Sequence, residues 1–292
     1  MELIKEKTMK VFVTASYGRI AHHLIPMLAK NGVEVRAVDP DSKNVQPLKD
    51  LGASEVIVGD LRRDEIIDKA MHGIDKIFLI LPDAMDGVVS MSERLINAAK
   101  REHVKHFVFS SCMNTVMELL QHWEKYEVED MLMGSTLNYT ILKPSGYMEM
   151  HFPTGPNSAF ETGEVTTFIG MDQPGTMISL EDIAAAACKV LLSQDEYYYA
   201  SLDLCSKGTE TMREDLEYIC SKIGKEAKVN MISAPDTPSV HANDMHGRMM
   251  AYHSNHPYVG NPFDFNALMG YPAKTFKQYA DEVIAGIQVK SK

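Results

Sequence analysis

The sequence reads as an α/β protein: a doubly wound parallel sheet with a smaller C-terminal α/β lobe. Three observations predict this. Short apolar runs alternate with helix-length periodic segments through the first half. Those runs are continuous rather than strictly alternating, as strands covered on both faces require. Gly32, Gly52 and Gly73 each follow a helical segment, where a chain commonly ends a helix.

The elements follow in order. Strands are expected at Lys10–Thr14, Glu34–Val38, Glu55–Val58, Lys76–Leu81, His106–Phe109 and Tyr139–Leu142. Between them, helical periodicity covers residues 18–31, 43–51, 62–71, 87–102 and 116–133. After Pro144 the rhythm changes. Residues 151–176 are rich in Gly, Pro and Thr, followed by helices at Leu180–Leu192, Met212–Ile223 and Thr275–Ile287. The segment 234–262 carries Pro, Asn and four histidines with little periodicity. Residues 9–150 are thus expected to form a nucleotide-binding domain, and 151–292 a smaller substrate-binding lobe interwoven with it. In such sheets ligands lie beyond the carboxyl ends of the strands.

Composition narrows the function. At 292 residues the chain can bury a full core. Its formal net charge of −11 argues against a nucleic-acid surface, which needs clustered Lys and Arg. Four cysteines, without a CxxC pair, read as reduced thiols. No apolar run approaches the roughly 20 residues that span a bilayer. Residues 1–8 lack the apolar core of a signal peptide. The expectation is a cytoplasmic protein with a small-molecule substrate, no membrane or nucleic-acid partner, and homo-oligomerisation left open.

The first strand runs into Thr14-Ala15-Ser16-Tyr17-Gly18-Arg19-Ile20, where a phosphate-cradling turn would usually carry three glycines. Here those positions hold Ala15, Gly18 and Ala21. A helix N-terminus after such a turn offers N–H groups and a positive dipole end to a pyrophosphate. Ala21 is a mild change, but a Cβ at Ala15 penalises positive φ, and Tyr17 adds bulk. Asp39 closes the second strand about 20 residues past the turn, where a carboxylate can bind ribose hydroxyls and repel a 2′-phosphate. That favours NAD over NADP, with Arg36 as a counterweight. Asp60 and Leu61 follow the third strand beside an expected adenine, although Asp60 equally suits a helix N-cap ahead of Arg62. Leu81 and Pro82 follow the fourth strand and should run along the cofactor. Ser110 and Ser111 end the fifth, where a hydroxyl reaches nicotinamide or a substrate oxygen. Pro144 ends the sixth, and Tyr147 just beyond it is a candidate phenol.

Taken together, VTASYGRIAHHLI, GDL after the third strand, FSS after the fifth, EKYEVEDML, YTILKPSGYMEM, MISLEDIAAAACKVL and the Pro-x-x-Thr-Phe at Pro272 resemble the NmrA-like branch of the atypical short-chain dehydrogenases/reductases. The resemblance spans nearly the whole chain. It implies a Rossmann domain, a small C-terminal lobe and NAD or NADP bound at the Gly18 turn. Short-chain dehydrogenases place a Tyr four residues before a Lys, and here Lys125 is preceded at that offset by Gln121. The resemblance therefore carries over Lys125 as a ribose-binding or proton-relaying residue, and no Tyr at 121. Read from the helix alone, Lys125 is equally a surface partner of Glu129 at i+4.

Members of that branch include reductases of quinones and phenylpropanoid-type substrates, as well as nucleotide-binding regulators. The leading expectation is hydride transfer involving a small apolar carbonyl, quinone or enone, with Lys125, Ser111 and Tyr147 as catalytic candidates. Two alternatives stand beside it. One is a non-catalytic NAD(P)-sensing regulator that binds a protein partner. The other is a non-redox isomerase, cyclase or lyase with a degenerate cofactor site. His22, His23 and His122 read as structural. The histidines at 241, 246, 253 and 256 show no recognised metal-ligand pattern, so no metal is expected.

Overall fold

A computed structural model describes residues 8–82, 85–117, 119–232 and 251–290. The strands are β1 (Lys10–Val13), β2 (Glu34–Asp39), β3 (Glu55–Val58), β4 (Lys76–Ile80), β5 (His106–Ser110), β6 (Tyr139–Pro144), β7 (Gly146–Tyr147), β8 (Glu164–Thr167), β9 (Met177–Ile178), β10 (Ala200–Leu204) and β11 (Lys228–Met231). The helices are α1 (Arg19–Lys30), α2 (Val45–Asp50), α3 (Asp64–Met71), α4 (Val88–Arg101), α5 (Leu120–Met133), α6 (Met148–His151), α7 (Ala159–Thr162), α8 (Leu180–Leu192), α9 (Met212–Ile223), α10 (Phe263–Met269) and α11 (Phe276–Lys290).

These elements form two compact units interleaved in sequence. The first takes the chain up to Ser111, Glu124–Lys143 and Ile183–Leu202. The second takes Cys112–Trp123, Pro144–Asp182 and the chain from Asp203 onward.

The seven-stranded sheet has the order β10-β6-β5-β4-β1-β2-β3. Ladders from β3 across to β6 are parallel, with Val11 opposite Val35 on one side and Lys76 on the other. Strand order reverses between β1 and β4, which creates the crevice where doubly wound sheets bind ligands. On one face, Phe12, Ile77, Leu79, Phe107 and Phe109 pack with Ile67, Leu95, Val128 and Leu132 from α3, α4 and α5. The pleat sends Val11 and Val13 to the other face, and both are fully buried. Burial on both faces is the reason the central strands carry consecutive apolar residues, as in Val11-Phe12-Val13 and Phe107-Val108-Phe109.

The second unit has its own core. Met148, Phe152, Phe160, Met171 and Met177 pack with Leu216, Ile219, Phe276 and Tyr279. Phe152 and Phe276 stand 4.9 Å apart between ring centroids. Its strands form two small parallel pairs, β8 with β11 and β7 with β9.

The six expected strands are present, each within two residues of its expected ends. Helices α8 and α9 have the expected bounds. Expected helix 43–51 opens as a 3-10 turn at Ser42–Asn44, and expected helix 116–133 begins at Leu120. The strands of the second unit and α6, α7 and α10 are too short to show a period. His241 and His246 lie outside the described residues. Among the described residues, no helix is long and apolar enough to cross a membrane.

Candidate functional site

The turn between β1 and α1 is stitched to both neighbouring strands by side chains. Thr14 Oγ1 donates to the Ile80 carbonyl and accepts from the Ile80 amide, both at 2.8 Å. Ser16 Oγ donates to Val13 O at 2.6 Å and accepts from Val38 N at 2.9 Å. Thr14 therefore fixes the turn to β4, and Ser16 fixes it to β2. Ala15 takes the left-handed conformation at φ 44 despite its Cβ. That directs its carbonyl at Gly18 N, 2.8 Å away. A Cβ on Gly18 would meet the same oxygen at 2.8 Å, so glycine is required there.

Gly18 caps α1 in extended conformation, without any side-chain cap and with no acidic residue in the first turn. The first amides of α1 are left for an anion. Tyr17 is 42% exposed, with its ring set edge-on to His22 at 4.9 Å. His22 in turn bonds Gly18 O through Nδ1 at 3.0 Å. The glycine pattern is degenerate in sequence, yet the backbone shape it encodes is retained.

Asp39 is buried at the end of β2. Its Oδ1 accepts from Asp41 N and Asn44 Nδ2, each at 2.9 Å, and Oδ2 takes part in neither bond. Arg36 is committed elsewhere: Nε meets Glu55 at 2.6 Å, and its guanidinium caps the end of α3 through Ala70 O at 2.9 Å and His72 O at 2.7 Å. The sequence offered Arg36 as a counterweight to Asp39, and this capping removes it from that role.

Asp60 does not cap a helix starting at Arg62, because α3 begins at Asp64 after Arg63. Instead it closes a turn, accepting from Arg62 N at 2.8 Å and pairing with the Arg62 guanidinium at 2.6 Å. That guanidinium holds its carboxyl below the usual range. Leu61 packs at the margin of the first unit's core, and Leu81 within it. Pro82 follows, half-buried.

At the carboxyl ends of β5 and β6 lies a polar group that the sequence reading missed. Ser111 Oγ donates to Glu129 Oε1, and Lys143 Nζ sits 2.9 Å from Glu129 Oε2. Ser111 is fully buried, as is nearly all of Glu129, and Ser110 beside them is 3% exposed. Because the single Ser111 proton goes to Glu129, its oxygen has only lone pairs left to offer. Lys125 is half-buried on α5, one turn before Glu129, and its charge acts on Glu124. Pro144 and Tyr147 belong to the second unit. Tyr147 lies on β7 opposite Ile178. The only hint of the Glu129 network in sequence was the FSS strand end, because its partners are 18 and 14 residues apart.

In the second unit, His253 stands 4.8 Å from the Tyr258 ring and 5.9 Å from His122. His256 stacks on Tyr252 at 4.0 Å. Among the described residues, no three His, Cys, Asp or Glu side chains come together in a metal-holding group. A cavity of about 770 Å³ in the first unit is lined by Met27, Lys30, Cys188 and Lys189, at the end of α1 remote from the Gly18 turn.

The model of the NmrA-like family matches residues 7–257. Quinone oxidoreductase 2 of Escherichia coli (strain K12) is 25% identical over 281 residues, covering 92% of this chain and 96% of its own. The NAD(P)H azoreductase of Xenophilus azovorans is 23% identical over 283 residues, with the same coverages. Among solved structures, Citrobacter sp. triphenylmethane reductase complexed with NADP(H) superposes with a TM-score of 0.80 at 18% identity. That match covers 94% of this chain and 100% of the reductase.

Proposed function

Since the chain belongs to the NmrA-like family, we propose that it is an NAD(P)H-dependent oxidoreductase reducing a small apolar carbonyl, quinone or enone. The observation that carries this reading is the Gly18 turn. Its helix N-terminus has no side-chain cap, the Ala15 carbonyl is bonded back to Gly18 N, and two hydroxyls lock it to β2 and β4. Such a cradle suits a pyrophosphate, so the residues present fit the dinucleotide. The full-length similarity to a quinone oxidoreductase and an azoreductase supports the redox assignment.

In this reading the amides of Arg19 and Ile20 receive phosphate oxygens, with Thr14, Ser16 and Tyr17 shaping the turn. Asp39 accepts from a ribose hydroxyl through Oδ2. Asp60, Leu61, Leu81, Pro82 and Ser110 border the rest of the cofactor. When bound, the reduced nicotinamide supplies a hydride to the acceptor. Lys125 holds ribose or passes a proton towards the substrate oxygen. Ser111 acts as a positioning residue, because its proton is committed to Glu129. The Asp39 charge favours NADH, whereas the triphenylmethane reductase carries NADP(H).

The test is a thermal-shift titration of purified protein with NADH and NADPH, followed by oxidation of the better ligand with a panel of quinones and enones. A ligand binding only the folded state adds about 2.7 kcal/mol at 100 times its Kd. Binding with turnover is expected. Failure to bind either nucleotide at millimolar concentration ends the proposal. Tight binding without turnover points instead to the nucleotide-sensing regulator.

A further inference from the structure

The second unit contains a thiol–imidazole pair that plays no part in the reading above. Cys112 Sγ lies 3.4 Å from His122 Nδ1. The same nitrogen lies 3.1 Å from the carbonyl oxygen of Asn114. A carbonyl only accepts, so that contact assigns the proton to Nδ1. That single N–H is shared between the Asn114 carbonyl and Cys112 Sγ, so the sulfur is its second, longer acceptor. A donor aimed at sulfur stabilises the thiolate over the thiol.

The surroundings hold this geometry in place. Asn114 is left-handed at φ 54, which helps carry its carbonyl back to the His122 ring. Tyr258 donates to Met113 O at 2.9 Å, beside the cysteine. The His122 ring is 5% exposed and meets Tyr258 edge-on at 6.1 Å and His253 at 5.9 Å. Imidazole and phenol rings therefore gather around His122, and the Cys112 sulfur beside that ring is part-exposed. The other three cysteines are buried, and burial pushes all three thiols up, Cys205 to about 11. A single cysteine thus combines access with an N–H donor on sulfur.

We propose that Cys112, held against His122, is a covalent modification site for conjugated enones and quinones. The Cys112 thiolate, having lost its proton to water, attacks the β-carbon and forms a C–S bond. The electron pair of the C=C bond moves onto the carbonyl as an enolate, and the α-carbon then takes a proton from water. The sum is addition of R–SH across C=C, with no oxidant, reductant or nicotinamide required. The site therefore stands independently of the reductase reading.

N-ethylmaleimide, an electrophile of this class, is the probe. The full-length protein is treated with less than one equivalent and no nucleotide, then followed by intact mass and peptide mapping. The expected result is a single adduct on Cys112, formed about tenfold faster than on glutathione at the same pH, the size of one hydrogen bond to a charged group. His122→Phe should slow the reaction about tenfold for the same reason. His122→Asn retains an amide N–H near the Nδ1 position and should slow it less. Adducts spread evenly over the cysteines, or Cys112 reacting no faster than glutathione, would overturn the proposal. So would equal rates in the wild-type and His122→Asn proteins alongside an unchanged His122→Phe protein. If His122→Phe fails to fold, the glutathione comparison and His122→Asn still decide.

Discussion

Lys143 Nζ rests 2.9 Å from Glu129 Oε2, with side chains 21% and 4% exposed. The pair ties the end of β6 to the middle of α5, and Ser111 occupies the other carboxylate oxygen. Removing one partner of a mostly buried pair leaves the other charge uncompensated. Glu129→Gln keeps an acceptor for Ser111 but loses the charge facing Lys143. It should lower unfolding free energy by about 2 kcal/mol, a value reduced from the fully buried case because Lys143 reaches solvent. Urea unfolding measures this, and an unchanged midpoint would show the pair to be energetically idle.

Ala15 carries a Cβ at φ 44. Glycine relieves that conformation but adds freedom to the unfolded chain, so the two effects partly cancel. Ala15→Gly is expected to raise stability by roughly 0.5 kcal/mol, with no loss of nucleotide affinity. Combining it with Tyr17→Thr tests whether the ring over His22 hinders the cofactor. Unchanged affinity in the double variant would make both sequence departures incidental.

Asp215 sits on α9, 1% exposed, with no hydrogen-bond partner among the described residues for either carboxylate oxygen. Burial, reinforced by Glu210 and Glu214, pushes its carboxyl from 3.8 up to about 8, while Lys277 opposes the shift. The folded state then holds a proton that the unfolded state releases. Stability contributed by that proton is complete below pH 3.8 and declines as pH rises towards 8. The loss is at most about 1.4 kcal/mol per pH unit. Asp215→Asn should therefore match the wild type near pH 4 and be the more stable protein at pH 8. Parallel stability curves across that range would contradict this.

The proposed role of Asp39 in cofactor choice can be tested by removing its charge. Its Oδ1 bonds to Asp41 N and Asn44 persist in Asp39→Asn, which removes the charge and leaves the β2 end in place. The ratio of NADPH to NADH affinity should rise about three- to tenfold, the scale of one charge a few ångströms away in partial solvent. Titrating both nucleotides against both proteins measures it, and an unchanged ratio would remove Asp39 from the ribose.

Much of this was legible in the residues themselves. Val11-Phe12-Val13 and Phe107-Val108-Phe109 read as strands because both faces of the sheet are covered, so no polar alternation dilutes the signal. Gly18 and Asp39 were legible because strand–turn–helix spacing is local. The Arg36 direction was not, because its partners at Ala70 and His72 depend on how α3 lies on the sheet. Glu129 was read as a surface partner of Lys125, since helical spacing reports neighbours along the helix and says nothing of Ser111 or Lys143. His122 was read as structural for a similar reason. Its meeting with Cys112 depends on a turn through Asn114 that no periodicity encodes.

The interleaving of the two units also governs how the chain comes into being. Strand β10 is drawn from both units, and the first unit lacks its last segment until Leu202 has been made. A chain emerging from the ribosome therefore cannot finish the Rossmann half and then begin the other. One face of the sheet closes with residues between Phe12 and Ile141, while the last segment of the unit, Ile183–Leu202, arrives later. A truncation before α8 removes the last segment of the first unit, and is expected to expose apolar surface rather than to fold as a smaller protein.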